Sequence, residues 1–373
     1  MVKVVILGSK EYPFGSNKGE DPIPSGGMET YVDDIVPELS KHCEVVVITR
    51  KFRGSRVHEK GGNIEVHRVP WLRGKWLRNP SFNCFSFFEA AKAMRGADII
   101  YSNGIISGLA ALKLAFLFRK KTVYRPAGIG FTQFGFPMRQ ILFALERFAF
   151  RHSDAVIFHS EGEKRNARKL FGLNLKNGHV ILTGFPVDKF AQHAQRKANG
   201  EVTITSVSRF VPVKGLDVLL RAFAGLRGKN RLMLVGSGPE ERSLKKLAER
   251  LGIKDRTVFA GFRRDIPDIL GSSDIFVVSS FSEGLPTSLL EAMASGLACV
   301  VTDIGLPVEH EKTGLVVPPG DAEALRKAIE KLMKDSKLRK KLGENAAKFV
   351  KYNCTTQKAA RAHMEVFEGV LGG

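Results

Sequence analysis

The chain has 373 residues, more than a single hydrophobic core usually supports, so we expect two domains. Its 43% hydrophobic and 26% charged residues exclude a disordered chain, and the lack of a long uncharged apolar run excludes a membrane-spanning helix. The net charge of +20 includes a region at 51–150 with 17 basic and 5 acidic residues, which favours an anionic partner over a merely lysine-rich surface.

The first half of the sequence alternates predicted strands with predicted helices. Residues 2–8, VKVVILG, form a β-branched run that is typical of a strand buried on both faces of a parallel sheet, and not of a signal peptide. A Pro/Gly-rich loop then leads into a helix at 28–39. Further strands are predicted at 44–49, 64–69, 97–102, 122–124, 155–159 and 179–182, and helices at 109–118, 137–152 and 161–170.

The same alternation begins again after a polar stretch at 191–201, AQHAQRKANGE, which we interpret as the linker. Strands are predicted at 202–207, 231–235, 257–260, 274–278, 298–302 and 314–317. Helices are predicted at 215–226, 240–251, 266–270, 289–295 and 321–334, and at 336–371 with a break near Asn353. The sequence therefore predicts two doubly wound α/β domains, with functional residues in loops that follow strands.

Gly26 and Gly27 stand at the start of the first predicted helix. Glycines at a helix start let a phosphate approach backbone N–H groups, although a simple loop is equally compatible with the pair. The sequence has neither a GxGxxG fingerprint nor a Walker A motif. This argues against a dehydrogenase and against a P-loop NTPase.

The segment 282–293, SEGLPTSLLEAM, has the most specific pattern in the sequence. Glu283 falls in the loop after a predicted strand, and Glu291 falls in the first turns of the next helix. A carboxylate can accept two hydrogen bonds from a sugar diol, and N–H groups at a helix start suit a diphosphate. An ordinary helix carboxylate with a solvated glutamate is the alternative for such a pair.

Two cations, Arg209 and Lys214, follow the strand predicted at 202–207 and precede a helix. At that place they could neutralise a diphosphate leaving group, or they could be surface cations on a loop.

Together these segments resemble the retaining glycosyltransferases of family 4, which have the GT-B fold. The resemblance rests on Gly26-Gly27, on SRFVPVKGLDVLLRA at 208–222, LVGSGPE at 234–240, VFAGF at 258–262, SEGLPTSLLEAMASGLACV at 282–300 and GLVVPPGD at 314–321, and TGFPVDKF at 183–190 is similar to the stretch that leads into the linker. It implies an α/β protein of two Rossmann-like domains that face each other across a cleft. The acceptor-binding domain would span 1–192, the nucleotide-sugar-binding domain 193–350, and a C-terminal helix at 351–373 would cross back to the first domain.

The resemblance also implies roles in the transfer of a hexose from a nucleotide-sugar. Arg209 and Lys214 would bind the donor diphosphate, Glu291 the ribose hydroxyls and Glu283 the transferred sugar. We expect Glu283, Arg209 and Lys214 to be the catalytic residues. Further donor-binding residues, beside the phosphate, the sugar or the base, would be Gly27, Phe262, Arg263, Gly284, Leu285, Pro286 and Thr287.

One position departs from the family pattern. The family often carries a histidine after the strand near 122–125, where this sequence has Arg125 and Pro126. Arg125 either adds positive charge on the acceptor side or is a salt-bridged core residue, and the sequence leaves both open. His159 ends another predicted strand, but the resemblance places that region in an acceptor-side loop, so no catalytic base is assigned. In a retaining front-face reaction, leaving-group stabilisation can carry much of the rate.

No metal-ligand spacing is visible in the sequence, so we expect neither a metal nor a cofactor. Asp33 and Asp34 fall on a predicted helix, and no DxD pattern ends a strand. The four scattered cysteines favour a reduced, cytoplasmic protein.

Two segments of the first half, 71–88 and 131–151, mix aromatic and basic residues. That mixture suits the cytoplasmic face of an anionic membrane, although core packing is the alternative for most of the phenylalanines. We expect Trp76 to lie on the acceptor side with Arg125, and we expect the acceptor to be a lipid-linked or anionic glycan.

Two rival functions stay open. A nucleic-acid-binding protein would explain the charge but not the carboxylate and cation pattern, so we do not expect nucleic acid as a partner. Another GT-B enzyme, such as a sugar-nucleotide epimerase or a phosphorylase, is the second rival. A phosphorylase should have a cofactor lysine and a longer chain, and product analysis would identify an epimerase.

Overall fold

The computed structural model describes residues 1–9, 12, 27–72, 77–126, 135–191 and 200–372. The chain divides into two compact units, Met1–Phe185 with Thr356–Gly373, and Pro186–Thr355. The sequence analysis expected the first domain to end at residue 192, whereas the first segment of unit 1 ends at Phe185. It expected the C-terminal segment to begin at residue 351, which lies within a helix of unit 2, whereas the segment that joins unit 1 begins at Thr356. Gly26, Trp76 and most of the expected linker lie outside the described residues.

Unit 1 is built on an eight-stranded sheet in the order β3-β4-β2-β1-β5-β6-β7-β8, in which β3 is antiparallel to β4 and the other pairs are parallel. Its strands are β1 Lys3–Leu7, β2 Glu44–Arg50, β3 His58–Gly61, β4 Ile64–Val69, β5 Ile99–Asn103, β6 Lys121–Arg125, β7 Ala155–Phe158 and β8 Gly178–Val180. Its helices are α1 Gly27–Leu39, α2 Arg78–Ala93, α3 Ile105–Phe118, α4 Met138–His152 and α5 Glu161–Phe171, together with α13 Thr356–Gly372 from the end of the chain.

The sheet of unit 1 is buried on both faces, as the sequence of β1 predicts. Val4 and Ile6 pack with α1 and α13 in one cluster of buried side chains. Val5 and Leu7 point to the opposite face and pack with α2 and α3 in another. Because side chains alternate along a strand, a continuous apolar run fills two cores at once.

Unit 2 is built on a six-stranded parallel sheet in the order β11-β10-β9-β12-β13-β14. Its strands are β9 Val202–Val207, β10 Asn230–Val235, β11 Thr257–Gly261, β12 Ile275–Val278, β13 Ala298–Thr302 and β14 Leu315–Val317. Its helices are α6 Asp188–Ala191, α7 Leu216–Ala224, α8 Glu241–Arg250, α9 Ile266–Gly271, α10 Thr287–Ala294, α11 Ala322–Lys334 and α12 Ser336–Asn353. The predicted fold class is confirmed, since both units are doubly wound α/β domains.

Two elements of unit 1 differ from the sequence prediction. Residues 78–88 of the aromatic and basic segment at 71–88 lie in helix α2, which buries Phe82 and leaves Phe88 exposed. The short polar strand β3 adds an antiparallel edge to the sheet.

Within the described part of the chain, none of the helices combines the length and apolar character needed to cross a bilayer.

Candidate active site

The charged residues of unit 2 lie where two neighbouring strands end. Strands β9 and β12 are adjacent and parallel, so the loops that follow them lie side by side. These loops are bound to each other, because the backbone N–H of Phe281 donates to Val213 at 2.8 Å and the hydroxyl of Ser279 donates to the Lys214 carbonyl at 3.0 Å. The sheet topology therefore brings the two segments singled out in the sequence together.

Lys214 and Glu283 form an ion pair between these loops. The Lys214 ammonium donates to Glu283 Oε1, and the hydroxyl of Ser280 donates to the same oxygen at 2.7 Å. The exposed fractions of the two charged side chains are 17% and 12%. Ser280 is itself fixed, because Thr302 at the end of β13 donates to its carbonyl at 2.6 Å. A cation and a carboxylate are thus held in a partly desolvated position, where charge interactions are stronger than in water.

The position of Lys214 depends on the glycine that follows it. A 3-10 turn at Pro212–Lys214 ends at Gly215, whose φ of 59° lies in the left-handed region. A Cβ at Gly215 would lie 2.3 Å from the Ser279 carbonyl oxygen. Glycine is therefore required both by the backbone conformation and by the close approach of the β12 loop.

The loop after β12 ends at the N-terminus of α10. Pro286 occupies the N-cap position, and its side chain makes no capping hydrogen bond. The residues Gly284 to Thr287 are half-buried, so backbone groups are accessible beside the ion pair. Glu291 lies in the next turn of α10, also half-buried. A helix start next to a lysine is a favourable place for an anion.

Arg209, Phe262 and Arg263 lie at the same edge of the sheet. Arg209 is exposed after β9, beside the Ser208 hydroxyl, which is buried and has no hydrogen-bond partner among the described residues. Phe262 follows β11 and is 59% exposed. Arg263 is exposed and pairs with Asp265, with Nε at 2.8 Å from Oδ1. An exposed aromatic ring here offers a surface on which a planar group can stack.

Arg125 at the end of β6 in unit 1 is buried, as the core interpretation expected, but it forms no ion pair with any of the described residues. Its Nε donates to His159, its Nη1 donates to Asn103 at 3.1 Å, and its guanidinium lies 3.9 Å from the ring centre of Tyr31. Burial, together with Arg125 and His363, holds the pKa of His159 well below its usual range. Neutral His159 can therefore accept the hydrogen bond from Arg125.

The neighbours of His159 complete a buried polar cluster. Thr183 lies 3.1 Å from His159 Nδ1, and the backbone N–H of His159 donates to Glu163 at 2.7 Å. Burial raises the pKa of Glu163 to about 7. Gly27 opens α1 in the same unit, whereas Trp76 lies outside the described residues.

The sequence analysis missed the side chains that hold the candidate site residues. Ser280 precedes Glu283 by three residues, and Thr302 comes from another strand. The small hydroxyl residues at strand ends were the sequence signal that could have identified Ser280 and Thr302, since the loops that follow parallel strands lie together at one edge of the sheet.

Two family models match the chain. The model described as Glycosyltransferase Family 4 matches residues 25–189, and the model described as Glycosyl transferases group 1 matches residues 188–349. The lipopolysaccharide core biosynthesis glycosyltransferase LpsE of Rhizobium meliloti is 40% identical over 205 residues. That match covers 52% of this chain and 58% of LpsE, so it spans little more than half of the relative.

Solved structures resemble the chain over its whole length. Sucrose-phosphate synthase from Thermosynechococcus elongatus has a TM-score of 0.80 at 20% identity, with all of both chains covered. Anabaena HepE in complex with UDP-glucose has a TM-score of 0.74 at 19% identity, and the match covers 99% of this chain and all of that one. Likenesses at this identity show a common fold.

Proposed function

The chain belongs to glycosyltransferase family 4 and has the GT-B fold, and from this premise we propose that it transfers a hexose from a nucleotide-sugar to a glycan acceptor with retention of configuration. The observation that carries this proposal is the Lys214–Glu283 pair, held by Ser280 at the edge where β9 and β12 end. The HepE complex with UDP-glucose and the glycan biosynthesis relative support a nucleotide-sugar donor and a glycan acceptor.

In this proposal the donor diphosphate lies between Lys214, Arg209 and the start of α10. When the glycosidic bond breaks, negative charge develops on the leaving oxygen of the diphosphate. Two cations and the helix start stabilise that charge, and the stabilisation grows as the bond breaks. Leaving-group stabilisation of this kind accelerates the reaction, and the proposal assigns no catalytic base.

Glu283 has the complementary task in the proposal. One of its oxygens is held by Lys214 and Ser280, and a carboxylate has further acceptor positions on its second oxygen. These positions can accept hydrogen bonds from hydroxyls of the transferred sugar. Because Lys214 touches both Glu283 and the proposed diphosphate position, it links the orientation of the sugar to the neutralisation of the leaving group.

The nucleoside part of the donor lies further along the same edge in this proposal. Glu291 accepts hydrogen bonds from the ribose diol, and the exposed ring of Phe262, with Arg263 beside it, flanks the base. Backbone groups of the segment 284–287 contact the sugar and the phosphate, and Gly27, where α1 begins, is a further donor-binding residue in the proposal.

We assign the acceptor to unit 1 and propose that it is a lipid-linked or anionic glycan at the cytoplasmic face of a membrane. The last turn of helix α3 includes Phe116 and Leu117, which are 85% and 59% exposed, and the basic residues Arg119 and Lys120 follow the helix directly. Apolar side chains next to cations suit an interface in which the apolar groups enter the lipid and the cations meet phosphates.

The donor assignment is tested by measuring binding and hydrolysis of UDP-, GDP- and ADP-sugars by the full chain. Glu291→Ala is compared with Glu344→Ala, which changes an exposed glutamate of α12 in the same unit. We expect one donor to bind selectively, with binding lost in Glu291→Ala and retained in Glu344→Ala. Folded protein that binds none of these donors would overturn the proposal, and steeply salt-sensitive DNA binding in its place would support the nucleic-acid alternative.

The membrane assignment needs a separate measurement. Binding to vesicles with and without anionic lipid is compared for the wild type, for the double variant Phe116→Ser/Leu117→Ser, and for Leu371→Ser as a control on another exposed apolar side chain. We expect binding to anionic vesicles that only the double variant loses. Unchanged vesicle binding by that variant would refute this part of the proposal.

A further inference from the structure

Two histidines and a glutamate converge at the edge of the unit 1 sheet. Glu65 and His67 are two residues apart on β4, so their side chains lie on the same face of the strand. His58 on the edge strand β3 is the direct antiparallel partner of His67. The hairpin therefore places three ligand-type side chains on one small surface.

The nitrogen atoms of both histidines point at one carboxylate oxygen. His58 Nε2 and His67 Nε2 each lie 2.8 Å from Glu65 Oε1. The ligand atoms of all three residues lie within 4.8 Å of one another. Bonds of about 2.0–2.2 Å to a tetrahedral zinc ion would separate such ligand atoms by about 3.3–3.6 Å. To hold an ion, the two nitrogen–oxygen separations of 2.8 Å would have to widen by about 0.5–0.8 Å, and a separation as long as 4.8 Å would have to shorten by just over 1 Å.

A second carboxylate orients one of the imidazoles. His67 Nδ1 lies 2.8 Å from Glu89 Oε1 on α2, and Glu89 is also paired with Lys92 at 2.9 Å. A proton on Nδ1 shared with Glu89 leaves the lone pair of Nε2 directed toward Glu65. This is the carboxylate–histidine arrangement that fixes the tautomer of metal-binding histidines.

The cluster is also accessible to an ion. The side chains of Glu65 and His67 are 23% and 18% exposed, whereas His58 is 53% exposed. His58 can therefore swing outward to admit an ion, and water can supply a fourth ligand. Lys3, whose ammonium lies 4.0 Å from the other oxygen of Glu65, faces the cluster as a competing cation.

We propose that His58, Glu65 and His67 bind a divalent transition metal, that zinc is the ion their donor set fits best, and that the ion ties β3 to β4. The proposal is independent of donor binding in unit 2. It assigns the metal a structural task, because the edge strand β3 has four residues and one hydrogen-bonded neighbour, and the ion would add a second tie to β4 beside the buried Glu59–Arg68 ion pair.

The test is a zinc titration of the chelator-treated full chain, followed by calorimetry and by thermal unfolding. Wild type is expected to bind one zinc per chain and to melt at a higher temperature with zinc than without it. His58→Ala should weaken binding at least tenfold, and His58→Ala/His67→Ala should abolish it. His42→Ala, which changes an exposed histidine of the same unit, should bind zinc like the wild type.

Two further measurements separate ligation from folding. Glu89→Gln keeps all three ligands and is expected to weaken zinc binding about tenfold through the orientation of His67. Cobalt(II), used as a probe in place of zinc, should give the visible absorption of a four-coordinate ion in the wild type and lose it in His58→Ala. Absence of stoichiometric zinc binding by the folded wild type, or equal binding by the double variant, would overturn the proposal.

Discussion

His363 should make unit 1 less stable as the pH falls below about 6.5. The side chain is fully buried on α13, where Nδ1 donates to the Ala359 carbonyl at 2.7 Å and Nε2 accepts from the Tyr31 hydroxyl at 2.6 Å. Burial lowers the pKa of His363 to about 4, against about 6.5 in an unfolded chain. Between pH 6.5 and pH 4, His363 therefore binds a proton in the unfolded chain but stays neutral in the folded chain.

The size of the effect follows from the two pKa values. Each unit of pKa difference corresponds to about 1.4 kcal/mol, so His363 should remove about 3 kcal/mol from the free energy of unfolding between pH 6.5 and pH 4. Glu146 and Glu163 act in the opposite direction, because burial raises the pKa of each to about 7. Their protonated folded form is favoured as the pH falls from 7 to the unfolded value near 4.5.

The comparison of wild type with His363→Gln removes these other contributions. Glutamine keeps an acceptor for Tyr31 but does not titrate. Urea unfolding is followed by tryptophan fluorescence, which reports unit 1 because the two tryptophans are Trp71 and Trp76. Between pH 6.5 and pH 4, the free energy of unfolding should fall by about 3 kcal/mol less in the variant than in the wild type. Parallel pH profiles for the two proteins would refute the reasoning, and the exposed-site variant His152→Gln should follow the wild type.

Three further predictions concern the site and the fold. Lys214→Met should lower kcat by about ten- to a hundredfold in a transferase assay, because a charge-assisted contact to the leaving group is worth about 1.5–3 kcal/mol; an unchanged kcat would contradict it. Gly236→Ala should destabilise unit 2 by more than about 2 kcal/mol in urea, since φ is 132° and its Cβ would lie 1.9 Å from the Ser208 carbonyl oxygen. In a thiol-reagent titration of native protein, exposed Cys84 should react while the three buried cysteines react only after unfolding, and a second fast thiol would refute this.

Strong local patterns explain why most of the fold could be predicted. The continuous apolar strands β1 and β2 are buried along almost their whole length, and such runs are unambiguous in a parallel sheet. Strand β3 was missed because its residues, HEKG, have no apolar periodicity. The Gly62-Asn63 connection between β3 and β4 was the usable signal, since two-residue loops of this type form hairpins.

Helix α2 was missed for a different reason. Its phenylalanines occur on more than one side of the helix, so their spacing does not show a 3.6-residue period. Pro80 in the segment also suggests a break, although proline is tolerated in the first turn, where its missing N–H has no intrahelical partner. Tertiary packing of Phe82 against the sheet decides the structure of this segment.

The candidate site was predictable to the extent that parallel-sheet topology determines it. Strand ends at 207 and 278 bring Lys214 near Glu283 once β9 and β12 are neighbours. The pairing of these side chains, and the fixation of Ser280 by Thr302, depend on loop conformations that a linear pattern does not encode. The His58–Glu65–His67 cluster likewise requires the register of the unpredicted hairpin.

The two units differ in how they use charge at the carboxyl ends of their strands. In unit 2, the side chains of Lys214 and Glu283 are partly exposed, so a ligand can reach them and replace the contact that they make with each other. In unit 1, the guanidinium of Arg125 is buried and donates to a neutral imidazole, since burial and Arg125 hold the pKa of His159 well below its usual range. A buried cation of this kind is costly unless its hydrogen bonds are made. The contacts of Arg125 with His159, Asn103 and Tyr31 therefore hold its guanidinium in place.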